Sequence, residues 1–302
     1  MMRAVLEDRV DPLVALRKAC SNWGRWGEND RRGTLNLIDA AKVRHAAYLV
    51  KEGLTVSCSR VVPKASDDAD TATVHVMVRT TSPDASSDFL GLAPHGYGVT
   101  HLDALSHYSS EGRHYNGVTA NHAGIVPASE VGVDQSRSGI VSRGVLLDIP
   151  RAIGRTHLEP SAVVTPKELD QTLEAQQIDT EPGDVLLIRT GRWIVPEHGT
   201  QGGPSMLAGM DPSCLPWLRR RDIALLGCDG VSDRIPCIYP ESNLPIHEVA
   251  LVFMGMQLLD NLDLDELSET AVRLKRWDFL FAVGPLVIGS GTGSPVNPLA
   301  VF

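Results

Sequence analysis

Four of the ten histidines in this 302-residue chain fall between positions 95 and 114. Three of them stand in the run His95-Gly96-Tyr97-Gly98-Val99-Thr100-His101-Leu102-Asp103-Ala104-Leu105-Ser106-His107. On an extended backbone residues two apart share a face, so His95, Tyr97, His101, Asp103 and His107 point the same way if the strand is unbroken. Imidazole and carboxylate converging on one side make a cation site. Neutral imidazole and carboxylate are the ligands expected for Zn²⁺ or Mn²⁺, and a catalytic site keeps one position open for water. A lone histidine would be read as an ordinary side chain of a polar loop. The pattern HxDxxxH preceded by Gly and Thr reads differently, because so many unpaired polar groups are rarely buried without compensation.

Other polar groups lie where strands deliver side chains to a site. Asp229 and Ser232 follow a strongly apolar stretch, although the aspartate could equally form an Asx turn. Trp23 and Trp26 could wall a pocket or simply pack, since large aromatics dominate cores and interfaces alike. The run 289–294 is glycine-rich but lacks the lysine of a phosphate-binding loop and a following helix, and no GxSxG nucleophile elbow occurs.

These stretches together resemble the cyclase family of metal-dependent hydrolases, which includes bacterial kynurenine formamidase and isatin hydrolase and has the core pattern HxGTHxDxPxH. Ser21-Asn22-Trp23-Gly24-Arg25-Trp26-Gly27 followed by Gly33-Thr34-Leu35-Asn36 is similar to the N-terminal signature of the longer members. Gly183-Asp184-Val185-Leu186-Leu187-Ile188-Arg189-Thr190-Gly191 is similar to their central strand. Gly227-Cys228-Asp229-Gly230-Val231-Ser232-Asp233 resembles the later Gly-x-Asp-x-x-Ser turn. His247 and Leu258-Leu259-Asp260-Asn261-Leu262 resemble the final histidine and Glu-Asn-Leu stretch, so the likeness runs from about residue 22 to 264 in the right order.

The resemblance implies that His101 and Asp103 ligate one divalent metal ion, Zn²⁺ or Mn²⁺, and that His107 carries protons. It also implies a small-molecule substrate and a homodimer or homotetramer, with Trp23, Trp26, Tyr97 and Ser232 as substrate contacts. The first motif histidine falls on Tyr97, and Val99 and Leu105 replace Gly and Pro. His95 lies two residues earlier, about 7 Å along an ideal strand, and could take that place only through a bulge or bend at Gly96 and Gly98. The third protein ligand is therefore expected from His95 or His247, the latter having the alternative of anchoring its own helix. Asp260 stands where relatives carry glutamate and is one methylene shorter, which argues for one ion and leaves Asp260, with Asp229, to support the ligands.

The elements that must position these residues are many and short. Glycine and proline, 27 and 19 of them, punctuate apolar runs that predict strands at 54–58, 73–78, 140–149, 184–189, 223–228 and 279–288. Helices are expected at 40–51 behind Asp39, at 166–177 behind the capping box opened by Thr165, and at 212–221, 265–273 and 247–254. Segments 66–70, 82–87 and 197–204 read as surface loops. Strands cluster without a helix between each pair, which predicts an α/β fold with a mixed β-sheet layer and flanking helices rather than a doubly wound parallel sheet. One domain spanning 1–302 is expected, with 1–20 as an N-terminal extension or arm.

Composition narrows the classes of function. With 28 Lys plus Arg against 37 Asp plus Glu the net charge is −9, which disfavours nucleic acid. The N-terminus shows no signal or membrane stretch, and five scattered cysteines without CxxC spacing indicate neither a disulfide framework nor a zinc cluster, so a cytoplasmic protein is expected. The function expected is hydrolysis of an amide, imide, formamide or lactone by metal-activated water. The alternatives are a metal-free binding or regulatory relative, or a metal-dependent cyclase or dehydratase.

Overall fold

The computed structural model describes residues 12–62, 74–82, 84–120, 130–194, 206–239 and 242–302. Thirteen strands occur among them: β1 (Thr55–Ser57), β2 (Val74–Ser82), β3 (Ala85–Leu92), β4 (His101–Asp103), β5 (Ile140–Asp148), β6 (Val163–Val164), β7 (Val185–Arg189), β8 (Gly209–Met210), β9 (Leu225–Cys228), β10 (Leu258–Asp260), β11 (Asp278–Val283), β12 (Gly293–Pro295) and β13 (Leu299–Val301). Nine form one sheet in the order β1-β13-β11-β5-β7-β9-β10-β4-β12. Its centre is parallel, from β5 through β7 and β9 to β10. Both flanks are antiparallel. The sheet is therefore mixed, as the irregular order of elements predicts.

The central strands read as continuous apolar runs because both of their faces are covered. Val145, Leu147, Leu186, Ile188, Leu226 and Leu258 pack into one core with residues of the helices. The alternate residues Leu146, Val185, Leu187, Leu225 and Leu259 face a second core containing Phe279, Phe281 and Phe302. The helix Pro166–Gln176 starts at the predicted capping box and buries Leu169, Thr172 and Leu173. The segment after Pro245 is helical through His247 and continues as a π-helix, Glu248–Met254.

Some boundaries differ for local reasons. The 140–149 strand stops at Asp148, which accepts from Arg151 N and starts the short helix Ile149–Ala152. The 279–288 strand ends at Val283, before Gly284 and Pro285. The predicted loop at 82–87 is a hairpin: β2 and β3 pair antiparallel and Ser82 faces Ala85. Polar residues suit that ribbon, because β3 is exposed over most of its length. The predicted loops at 66–70 and 197–204 lie outside the described residues. The helix Pro12–Cys20 buries Leu13 and Cys20. No described helix is long and apolar enough to cross a membrane.

Gly255 closes the π-helix in the left-handed region at φ +66°. A Cβ there would lie 2.4 Å from the Tyr115 ring, and the Gly255 carbonyl accepts from Thr34 N at 2.8 Å. Gly255→Ala should therefore cost about 2–4 kcal/mol, from backbone strain plus overpacking. Chemical denaturation checks this, and a cost below about 0.5 kcal/mol would contradict the packing described.

Candidate metal centre

Strand register, more than sequence proximity, assembles the site. β4 pairs with β10 so that His101 faces Asp260 and Asp103 faces Leu258. With a period of two, His101, Asp103 and Asp260 share one face while Leu102 and Leu259 enter the opposite core. On the other side β12 sets Gly293 against Asp103. The condition of an unbroken strand from His95 to His107 is not met, since β4 spans only His101–Asp103. Gly96, at φ +134°, lies in a bend between His95 and β4.

That bend resolves the substitution at position 97. His95, rather than Tyr97, reaches Asp103, with Nδ1 2.9 Å from Oδ1. The Tyr97 backbone carbonyl instead accepts from Arg192 at 2.8 Å. The His95 ring lies beside Gly293, where a Cβ would come within 2.6 Å of its Cε1. Its Nε2 pairs with Thr292 Oγ1 at 3.0 Å, and His107 stacks on it with centroids 3.9 Å apart and planes 9° apart.

Two groups of ligand atoms result. His95, His101 and Asp103 form one, and Asp103, His247 and Asp260 the other, with the atoms of each group within 4.8 Å of one another. Asp103 belongs to both. The structure thus brings His95 and His247 together around one carboxylate where the sequence left a choice between them. Asp260, expected to be too short for a second ion, lies 3.2 Å from His247 Nε2. The ladder carries it there regardless of the missing methylene.

Hydrogen bonds on the outer side fix which nitrogens face inward. His101 Nδ1 lies 2.8 Å from the Val99 carbonyl, which can only accept, so Nδ1 carries the proton and Nε2 faces Asp103 Oδ1 at 3.4 Å. His247 Nδ1 donates to Asp233 at 2.6 Å, leaving Nε2 3.2 Å from Asp260 and 3.5 Å from Asp103 Oδ2. Asp233 also accepts from the backbone N–H groups of Ile246 and His247, so it holds both the helix start and the ring. Sequence reasoning left Asp233 without a role, although it closes the Gly-x-Asp-x-x-Ser-Asp stretch. Its only signal is a position one residue beyond that motif.

The remaining candidates separate by their contacts. Asp229 accepts from the backbone N–H groups of Thr190, Gly191 and Arg192 and from the Thr190 hydroxyl, joining the ends of β7 and β9. Ser232 is buried at φ +60°, and its Oγ has no partner among the described residues. Trp23 stacks on Phe253, donates to the Val252 carbonyl and lines a surface cavity of about 570 Å³. Trp26 lies under the Arg25 guanidinium. No described contact joins either tryptophan to the histidines.

The donor set fits a cation. Asp103 has no solvent exposure, and its oxygens face the ring nitrogens of His95, His101 and His247 without a well-directed hydrogen bond among the described residues. Asp260 Oδ1 is buried and has no hydrogen-bond partner among the described residues. Nitrogen and oxygen donors of this kind suit Zn²⁺ or Mn²⁺, and Asp233 and the Val99 carbonyl supply the outer hydrogen bonds that metal-ligating imidazoles need.

A mixed-sheet α/β fold with a clustered His–Asp centre defines the class of protein. The chain belongs to the Cyclase family, whose model matches residues 44–233. It is similar to a solved structure described as a novel cyclase, at 27% identity and a TM-score of 0.84, covering 94% of this chain and 100% of that one. It is also similar in fold to isatin hydrolase A from Labrenzia aggregata bound to benzyl benzoate, at 20% identity and a TM-score of 0.60, covering 84% and 94%. A protein from Bacillus stearothermophilus described as a predicted metal-dependent hydrolase matches at 12% identity and a TM-score of 0.52, covering 82% and 97%. None of the curated proteins matches the chain by sequence. His247 and Asp260 lie beyond the family match; the sheet register joins Asp260 to it, and the hydrogen bond to Asp233 joins His247.

The charges in the metal-free site are uneven. Burial alone would raise Asp103, but His101, His107, His247 and His95 hold its carboxyl well below the usual range. Burial pushes His107 down from 6.5 to about 4, with Asp103 opposing. Burial also opposes protonation of His247, yet Asp260, Asp103 and Asp233 raise it well above its ordinary value. The three carboxylates thus favour the imidazolium form of His247, whose proton a bound cation would have to displace. His107 refuses in the folded state a proton that the unfolded chain accepts, so its contribution to stability is lost as pH falls from 6.5 toward about 4. Imidazole ¹⁵N NMR of metal-free protein at pH 7 should show His247 doubly protonated and His107 neutral. A His107 that titrates near 6.5 beside a neutral His247 would contradict this electrostatic picture.

Proposed function

We propose that this chain is a metal-dependent hydrolase that opens an amide, imide, formamide or lactone bond of a small molecule. The observation that carries the reading is Asp103, a fully buried carboxylate whose oxygens face inward-turned nitrogens of His95, His101 and His247 at 2.9, 3.4 and 3.5 Å. Such a group needs a cation. The hydrolases among the structural neighbours support an enzyme of this kind.

When bound, Zn²⁺ or Mn²⁺ supplies Lewis acidity, lowering the pKa of water toward about 7 and polarising a scissile carbonyl. His95, His101 and Asp103 are proposed to hold it, with His247 and Asp260 completing the set or holding a second ion across Asp103. Asp233 keeps the His247 ring turned inward. His107 is the proton carrier: stacked on His95 and neutral at working pH, it accepts a proton from the attacking water and returns it to the leaving nitrogen or oxygen. Ser232, at a positive φ and with a hydroxyl that has no partner among the described residues, is the polar group proposed to meet the substrate.

His107→Ala should lower kcat by about 10²–10⁴-fold while leaving metal content unchanged. A variant that lost its metal, and turned over normally once metal was restored, would remove His107 from the proton-transfer role and place it among the ligands.

Chelation of the wild-type protein should abolish activity on formyl-amide, cyclic-imide and lactone panels, and Zn²⁺ or Mn²⁺ should restore it. Oxygen from ¹⁸O-labelled water should enter the product. Failure to incorporate label would point to cyclisation or dehydration. Less than about one-tenth equivalent of metal, with no activity on these panels, would point to a binding protein.

A further inference from the structure

The bend that presents His95 contains Gly96-Tyr97-Gly98, two glycines that leave the backbone wide conformational freedom. Its ordering comes from two buried side chains outside the ligand set. Asn261, which follows β10 at φ +55°, donates from Nδ2 to the Gly96 carbonyl at 2.7 Å and the Val99 carbonyl at 3.1 Å. Its own carbonyl accepts from Thr100 Oγ1 at 2.6 Å. Arg192 donates from one terminal nitrogen to Asn261 Oδ1 at 2.6 Å and from the other to the Tyr97 carbonyl at 2.8 Å.

Three of the four carbonyls from Gly96 to Val99 are thus gripped from one side. Val99 is also the acceptor that sets the His101 ring, so the grip reaches both histidines that flank Asp103. Arg192 is only 3% exposed and has no carboxylate ion pair among the described residues; its guanidinium lies over Trp193, 4.1 Å from the ring centroid. A buried arginine spent on carbonyl oxygens is costly unless those carbonyls must stay in place. Asp229 fixes the turn from which Arg192 projects, by accepting three successive backbone N–H groups.

We infer that Asn261 and Arg192 are positioning residues for the metal centre: they clamp the bend so that His95 supplies the ligand that the motif spacing would place at residue 97. The inference rests on the metal reading above and goes beyond it in assigning the geometry of His95 to residues that touch neither metal nor substrate. Gly293 completes the device by leaving room for the ring.

Asn261→Asp is the sharpest test. It keeps an oxygen for Arg192 but replaces the amide donor with an acceptor that faces two carbonyl oxygens. The variant should fold with a near-native denaturation midpoint. By chelator competition it should bind Zn²⁺ about 10–100-fold more weakly than wild type. Its metal-free crystal structure should show His95 Nδ1 withdrawn from Asp103 Oδ1, which it approaches to 2.9 Å in the native chain. If Asn261→Asp does not fold, Arg192→Met, which loses both carbonyl-directed donors, is expected to show the same two effects. Native Zn²⁺ affinity in the variant that folds, or an unmoved His95, would overturn the clamp. Wild-type protein that binds no Zn²⁺ or Mn²⁺ would instead sink the metal reading, while the metal-free crystal structures would still decide whether these two side chains hold His95.

Discussion

The structure turns on one buried carboxylate. Asp103 is fully buried and is ringed by inward nitrogens of His95, His101 and His247. Removing an ionised carboxylate from water costs several kcal/mol unless something positive returns the lost solvation. Without metal the compensation comes from protonated imidazole, chiefly at His247. On the proposed reading a divalent cation would take over, and the outer bonds from Asp233 and the Val99 carbonyl already turn the rings inward.

That arrangement depends on the sheet. β4 and β10 are three residues each, yet their antiparallel register places His101 opposite Asp260 and leaves Asp103 on the same face. A slip of one residue would send both carboxylates into the opposite apolar core. β12 adds Gly293 on the far side, the residue that leaves space for His95. The parallel centre, apolar on both faces, is the rigid body against which these short strands are set.

The parts of the site written within a few residues of each other were legible in the sequence. HxDxxxH named His101, Asp103 and His107 because ligands two apart on a strand share a face. The mixed sheet followed from strands that lacked intervening helices. The glycines around Tyr97 raised the possibility of a bend that would admit His95, but only the fold shows the bend formed. What stayed hidden depends on pairing across long separations. Three-residue strands such as β4, β10 and β12 carry too little periodicity to announce themselves. Without their register, side-chain length alone could not show that Asp260 lies 3.2 Å from His247 Nε2. Asp233, Arg192 and Asn261 act through backbone atoms and ring nitrogens of other segments, and side-chain type does not advertise such roles. The sequence allows Trp23 and Trp26 either as a pocket wall or as packing: Trp23 stacks on Phe253 and lines a surface cavity, and Trp26 lies under Arg25.

The central claim is that the carboxylate of Asp103 is built to hold a divalent cation. Crystals grown with Zn²⁺ or Mn²⁺, and measured on both sides of the metal absorption edge, test it most directly. An anomalous peak about 2.0–2.2 Å from Asp103, His101 Nε2 and His95 Nδ1 is the result predicted. A fully described site with no peak within bonding distance of Asp103 at saturating metal would contradict it.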